Sequence, residues 1–224
     1  MSKFLNKKYD GLEVYKPGEQ PQNMVYIKLN TNESPYPPGP KVCSAINKSE
    51  LENLRLYSDP ECIEIREKLA KLYGKKPENF YLSNGSDDIL NFAFMAFCGD
   101  EEEVIFPEIS YGFYEVFADL YKIKYTKIPM NKDFSINYKD FLNKNKMIVI
   151  ANPNSPTGLT LSIFEIEEIL KTNPAVPVII DEAYVDFGGE SCYRLIDKYQ
   201  NLLVVQTFSK SRSMAGARLG FAIG

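Results

Sequence analysis

Residues 146–184 read KMIVIANPNSPTGLTLSIFEIEEILKTNPAVPVIIDEAY. Two short β-branched runs, in KMIVIANP and VPVIIDEAY, flank a helical segment, LSIFEIEEILKT. Apolar runs without polar alternation mark strands buried on both faces, and a helix between two of them marks a parallel crossover. Working outward, LLVVQTFS (residues 202–209) supplies another such strand. Toward the N-terminus FYLS, EEVIFP and KYTKIP read as strands, with DILNFAFMAF and SYGFYEVFADLYK as helices between them. Before these, PECIEIREKLAKLYG places Ile63, Ile65, Leu69 and Leu72 at roughly helical spacing, and Gly74 supplies the stop. The alternation predicts an α/β fold, a mainly parallel mixed sheet with helices on both faces.

The flanks read differently. YKPGEQPQN and LNTNESPYPPGPKV are rich in turn residues, and the four prolines from Pro35 to Pro40 argue against helix or central strand. Residues 1–58 are therefore expected to form an extended arm lying on the main domain, residues 59–224, or on a partner subunit. At the other end RLGFAIG, with Leu219, Phe221 and Ile223 in alternation, has the pattern of a strand just beginning to be buried. The expectation is a chain that stops before its fold does, leaving that strand poorly covered.

Composition removes several classes of function. The 224 residues carry a net charge of -4, so there is no basic field for nucleic acid or an anionic membrane. No apolar run approaches the roughly 20 residues of a membrane span, and MSKFLNKKYDG lacks the apolar core of a signal peptide. Cys43, Cys62, Cys98 and Cys192 show no paired spacing and read as small buried hydrophobes, which points to a cytoplasmic protein without a metal site. Histidine is absent altogether. No Ser-His-Asp or Cys-His nucleophile is available, so proton transfer near neutral pH falls to Lys, Tyr, Cys, a shifted carboxylate or a bound cofactor.

In open α/β sheets ligands sit beyond the carboxyl ends of the strands. Four predicted strand ends carry small, polar or charged residues: Ser83–Asp87, Asn152–Gly158, Asp181–Tyr184 and Thr207–Lys210. The NGSD turn before a helix offers backbone N–H groups to a phosphate, although taken alone it reads sooner as a plain helix cap, with Ser86 or Asp87 closing the helix. Asp181 closes a buried strand and needs a cation or strong donor opposite it, unless it merely caps the next segment. Lys210 follows another buried strand, where an amine short of water can attack a carbonyl; read alone, it is a surface lysine. Arg218 offers a planar fork for a phosphate. Together an acid for a ring nitrogen, an amine for an aldehyde, and hydroxyls, N–H groups and an arginine for a phosphate are the groups that pyridoxal 5'-phosphate requires.

The blocks PNSPTG, DEAY and SKSRSMAGARLG, in that order and spacing, resemble the aspartate aminotransferase superfamily, fold type I, class I/II. Within it, YKPGEQP, LNTNESPYPP and LYSDPE closely resemble the histidinol-phosphate aminotransferases, and the similarity runs from about Val14 to Gly224. The resemblance implies an aspartate-aminotransferase-like large domain behind an N-terminal arm that begins a small-domain and dimer segment. It implies that Lys210 binds the cofactor covalently and shuttles the substrate proton, that Asp181 pairs with the ring nitrogen, and that Tyr184 bonds the phenolic oxygen. Tyr111 would stack on the ring, while Ser86, Asp87, Thr207, Ser209 and Arg218 would hold the phosphate. Tyr57 would reach the partner's phosphate across a homodimer, and Tyr15 and Asn32 would lie near the substrate.

Two departures stand out. Many relatives have Asn directly before PTG as a further partner of the phenolic oxygen; Ser155 stands there, and the role is assigned to Asn154, one residue earlier. The family's C-terminal small domain, with the arginines that hold the substrate's anionic groups, is expected to lie outside this chain. The implied reaction is transfer of the amino group of histidinol phosphate to 2-oxoglutarate, giving glutamate, in histidine biosynthesis. The alternatives are an aromatic or aspartate aminotransferase, a threonine-phosphate decarboxylase, or a non-catalytic cofactor-sensing module.

Overall fold

The computed structural model describes residues 24, 27–45, 53–99 and 102–224. Its elements in chain order are α1 (Pro40–Ala45), α2 (Ile63–Tyr73), β1 (Phe80–Ser83), α3 (Ser86–Phe97), β2 (Glu103–Pro107), α4 (Phe113–Tyr121) and β3 (Lys124–Ile128). Then follow β4 (Met147–Ala151), α5 (Ile163–Thr172), β5 (Val178–Asp181), β6 (Leu202–Thr207) and β7 (Gly220–Ile223). The strands form one seven-stranded sheet in the order β1-β7-β6-β5-β4-β2-β3. Every neighbouring pair is parallel except the two made by β7, which runs antiparallel to β1 and β6. The expected mainly parallel, mixed sheet is therefore present.

Successive residues of a strand point to opposite faces, and the core divides accordingly. On one face Ile148, Ile150, Val178, Ile180, Val204 and Phe221 pack with Leu69 and Ala70 of α2 and with Ile166, Ile169 and Leu170 of α5. On the other, Val104, Phe106, Val149, Ile179, Val205 and Ala222 pack with α3 and α4. Each central strand is covered twice, which is why its sequence is apolar throughout. A reciprocal pair of bonds between Ser162 and Glu165 starts α5, and Gly74, in the left-handed region at φ 65°, ends α2.

Four local expectations need correction. Of the four cysteines expected to be buried, only Cys192 is; Cys43 is exposed, and Cys62 and Cys98 are half-buried. On α2 only Leu69 and Ala70 are buried, and Ile63 and Leu72 of the expected stripe face solvent. The helix is turned so that Tyr73 meets Phe80, Tyr193 and Phe221. In the arm, Pro40 opens the short helix α1, because the first position of a helix needs no intrahelical N–H. The largest correction concerns β7. It inserts between β1 and β6, and all four of its residues are buried rather than left uncovered. Among the described residues no helix is long and apolar enough to cross a membrane.

Candidate active site

The carboxyl ends of β4, β5 and β6 and the N-terminus of α3 open on one cavity of about 230 Å³. Nine of the residues singled out in the sequence line it: Ser86, Asp87, Tyr111, Asp181, Tyr184, Thr207, Ser209, Lys210 and Arg218. They come from segments more than a hundred residues apart, gathered because parallel strands end on the same side of the sheet.

One corner of the cavity is formed by the start of α3 with Thr207, Ser209 and Arg218. The first N–H groups of α3 have no partner within the helix. Gly85, at φ 89°, turns the chain into it, and Gly220 of β7 passes so close that a Cβ there would lie 2.5 Å from the Ser86 nitrogen. Only glycine permits that approach. The Thr207 hydroxyl donates to Ser209 Oγ at 3.0 Å. Arg218 reaches over Gly85 and pairs with Asp87 Oδ2 at 3.8 Å, while the Tyr111 hydroxyl donates to Asp87 Oδ1 at 3.0 Å.

The opposite wall holds Asp181, which is 4% exposed. Its Oδ2 accepts from the Tyr114 hydroxyl at 2.8 Å and its Oδ1 from the Ala183 N–H at 3.2 Å. Among the described residues it has no ion pair. Burial pushes its carboxyl up to about 6; the two donors and the more distant charge of Lys210 pull it down, and Asp87 adds to the rise. The next residue, Glu182, points to the other face of the sheet. There its carboxylate accepts from Ser191, the Cys192 N–H and Gln206, and burial again raises its pKa.

Between the two walls lies Lys210, whose Nζ donates to the Thr31 carbonyl at 3.1 Å and sits 5.6 Å from the centre of the Tyr184 ring. The Asn32 amide donates to the Tyr184 hydroxyl at 2.9 Å. The described arm thus touches the site through three consecutive residues, Thr31, Asn32 and Glu33. Thr31 Oγ1, at the cavity wall, is buried with no hydrogen-bond partner among the described residues.

The remaining sequence candidates fall elsewhere. Asn154 is 1% exposed and does not line the cavity. Its amide donates to the Ile109 carbonyl and Thr157 Oγ1 and accepts from Ser110, so it holds the loop, and Ser155 takes the cavity wall. Tyr57 is fully exposed, away from the cavity lining. Tyr15 lies outside the described residues. The sequence reading missed Thr31, Glu33 and Tyr114. Thr31 was signalled by its neighbour Asn32; Tyr114 carried no sequence signal of its tie to Asp181.

Such a cavity suits a flat ligand with a phosphate at one end, a carbonyl beside the lysine, and a basic ring atom facing the buried carboxylate. The sequence profile of the family described as aminotransferase class I and II matches residues 25–224. The chain belongs to that family. It is similar to the histidinol-phosphate aminotransferase of Brachyspira hyodysenteriae, at 52% identity over all of this chain and 64% of that protein. It is likewise similar to the histidinol-phosphate aminotransferase of Clostridium botulinum strain 657, at 51% identity over all of this chain and 63% of that one. The chain thus spans slightly under two thirds of the length of these curated relatives. Among solved structures, the Sinorhizobium meliloti histidinol-phosphate aminotransferase in complex with pyridoxal-5'-phosphate superposes with a TM-score of 0.80. That match is 23% identical and covers 87% of this chain and 55% of the other, a likeness of fold.

Proposed function

We propose that this chain forms the cofactor-binding part of a pyridoxal-phosphate-dependent enzyme that moves the amino group of L-histidinol phosphate to 2-oxoglutarate. The products are glutamate and the ketone of the first substrate, as histidine biosynthesis requires. The observation that carries the reading is a buried carboxylate with no ion pair among the described residues, Asp181, in the same cavity as the Lys210 amine. The names of relatives about half identical to this chain supply the substrate.

The residues present fit the cofactor. Ser86 at the start of α3, the Thr207 and Ser209 hydroxyls and the Arg218 guanidinium line one cavity, and together they are the donor set that a phosphate needs. When bound, pyridoxal phosphate supplies an aldehyde for amino groups and a ring that takes up the electron pair released at the substrate Cα. The chain's own groups do the rest. The Lys210 amine binds the aldehyde carbon and, when displaced by the substrate amine, carries the proton between the substrate Cα and that carbon. Asp181 keeps the ring nitrogen protonated. Tyr184 accepts from Asn32, which leaves its own proton to donate to the phenolic oxygen. Ser155 has the access for a second contact there, and Asn154 holds the loop behind it. Ser86, Asp87, Thr207, Ser209 and Arg218 hold the phosphate, and Tyr111 covers the ring.

In this reading residues 59–224 are the cofactor domain, and residues 1–58 are an arm that begins the small-domain and dimer segment. The enzyme is a cytoplasmic homodimer in which the exposed Tyr57 reaches the partner's phosphate site. Tyr15 and Asn32 lie near the substrate.

Incubation with histidinol phosphate and 2-oxoglutarate should yield glutamate, and borohydride should fix the cofactor to the protein at Lys210. In Lys210→Ala both should be lost. Cofactor still fixed by borohydride in that variant would overturn the assignment of Lys210. Glutamate formed from an aromatic amino acid or aspartate, with histidinol phosphate inert, would overturn the substrate.

A further inference from the structure

The carboxylate of Asp181 is held from behind by a side chain that does not line the cavity. Tyr114, the second residue of α4, is 0% exposed, and its ring packs against Phe106 and edge-on to Tyr111. Its hydroxyl donates to Asp181 Oδ2 at 2.8 Å, while the Ala183 N–H holds Oδ1. With both oxygens tied, the carboxylate cannot turn about its terminal torsion without breaking a hydrogen bond at a largely buried position.

We propose that Tyr114 is a positioning residue: its hydroxyl orients Asp181 and holds it ionised, so that the carboxylate meets a cofactor's ring nitrogen as an anion. The inference rests on the reading that Asp181 pairs with that nitrogen. The titratable groups facing Asp181 are Tyr114 from α4, Asp87 from α3 and Lys210 beyond β6. Asp87 opposes ionisation and the Lys210 charge acts less strongly than the Tyr114 hydroxyl, so the tyrosine is the principal side-chain donor. Burial and the charge of Asp181 raise the Tyr114 phenol well above its ordinary range, so it remains a donor wherever the carboxylate titrates.

The test is the affinity for pyridoxal phosphate as a function of pH in the intact protein and in Tyr114→Phe, Asp181→Asn and the double variant. Phenylalanine keeps the ring and removes only the hydroxyl. Affinity should fall on the acidic side as Asp181 takes up a proton. In Tyr114→Phe that acidic limb should move to higher pH, with binding near neutrality weakened on the order of tenfold, as for a lost hydrogen bond to a charged group. On the Asp181→Asn background the same change should add nothing, whereas a purely structural role would act equally on both backgrounds. An unmoved limb in Tyr114→Phe, with Asp181→Asn binding poorly, overturns the role of Tyr114 alone. Unchanged affinity in Asp181→Asn overturns the ring-nitrogen reading and this inference with it. Should Tyr114→Phe fail to fold, 3-fluorotyrosine at the same position, a stronger donor of nearly the same shape, should move the limb to lower pH. No movement there overturns the proposal.

Discussion

Asp181 shows what burying one carboxylate costs a fold. Its carboxyl titrates near 6 in the fold, against an ordinary value of 3.8. The folded protein therefore binds this proton more tightly than the unfolded chain, and stability falls as pH rises from the lower value to the higher. Above that window the cost of the buried charge is complete. Without cofactor, Asp181→Asn should be more stable than the unmodified protein by about 1–3 kcal/mol at about pH 8, with the gap closing at about pH 4. Urea unfolding at the two pH values measures it, and an equal gap at both would show that the charge is not the cause. Cofactor should reverse the order, since a protonated ring nitrogen supplies the missing cation. The presence of such a residue was readable from VIIDEAY, because a carboxylate closing an apolar run has few structural uses. Its partner Tyr114 was not, because 67 residues separate the two and only the packing of α4 on the sheet joins them.

At the scale of the element, the junction of β1, α3 and β7 shapes one corner of the cavity. Gly220 matters there for what it lacks, since a Cβ would press on the Gly85 carbonyl carbon and the Ser86 nitrogen at 2.5 Å. Gly220→Ala should push β7 away from the turn, lowering stability by about 1–3 kcal/mol, the usual range for overpacking. It should also weaken cofactor binding, because the Ser86 N–H moves with the turn. Differential scanning calorimetry and cofactor titration read the two effects, and a variant with both unchanged would refute the contact. Helix α2 teaches a related lesson about legibility. Its four apolar residues at helical spacing announced a helix correctly, yet the buried face is centred on Leu69, Ala70 and Tyr73. Spacing establishes that a helix exists; the aromatic cluster it joins decides its rotation.

At the scale of the molecule, β7 ties the sheet together. It joins β1, more than a hundred residues earlier in the chain, to β6, and Phe221 meets Tyr73, Phe80 and Phe208 at its centre. Phe221→Ala should cost about 3–5 kcal/mol, the range for emptying a buried aromatic site. Its urea midpoint should fall accordingly, and a loss below about 1 kcal/mol would show the cluster closing over the gap. The chain's own amino-acid order determined the βαβ alternation, the apolar character of each central strand, and the kinds of chemistry waiting at the strand ends. These follow from backbone periodicity and side-chain type, both local properties. Only the tertiary structure decided that β7 lies inside the sheet, that Ser155 rather than Asn154 faces the cavity, and that Tyr114 holds Asp181. Those outcomes depend on which distant surfaces meet and in what register, and residues far apart in the chain carry no local mark of the partner they will find.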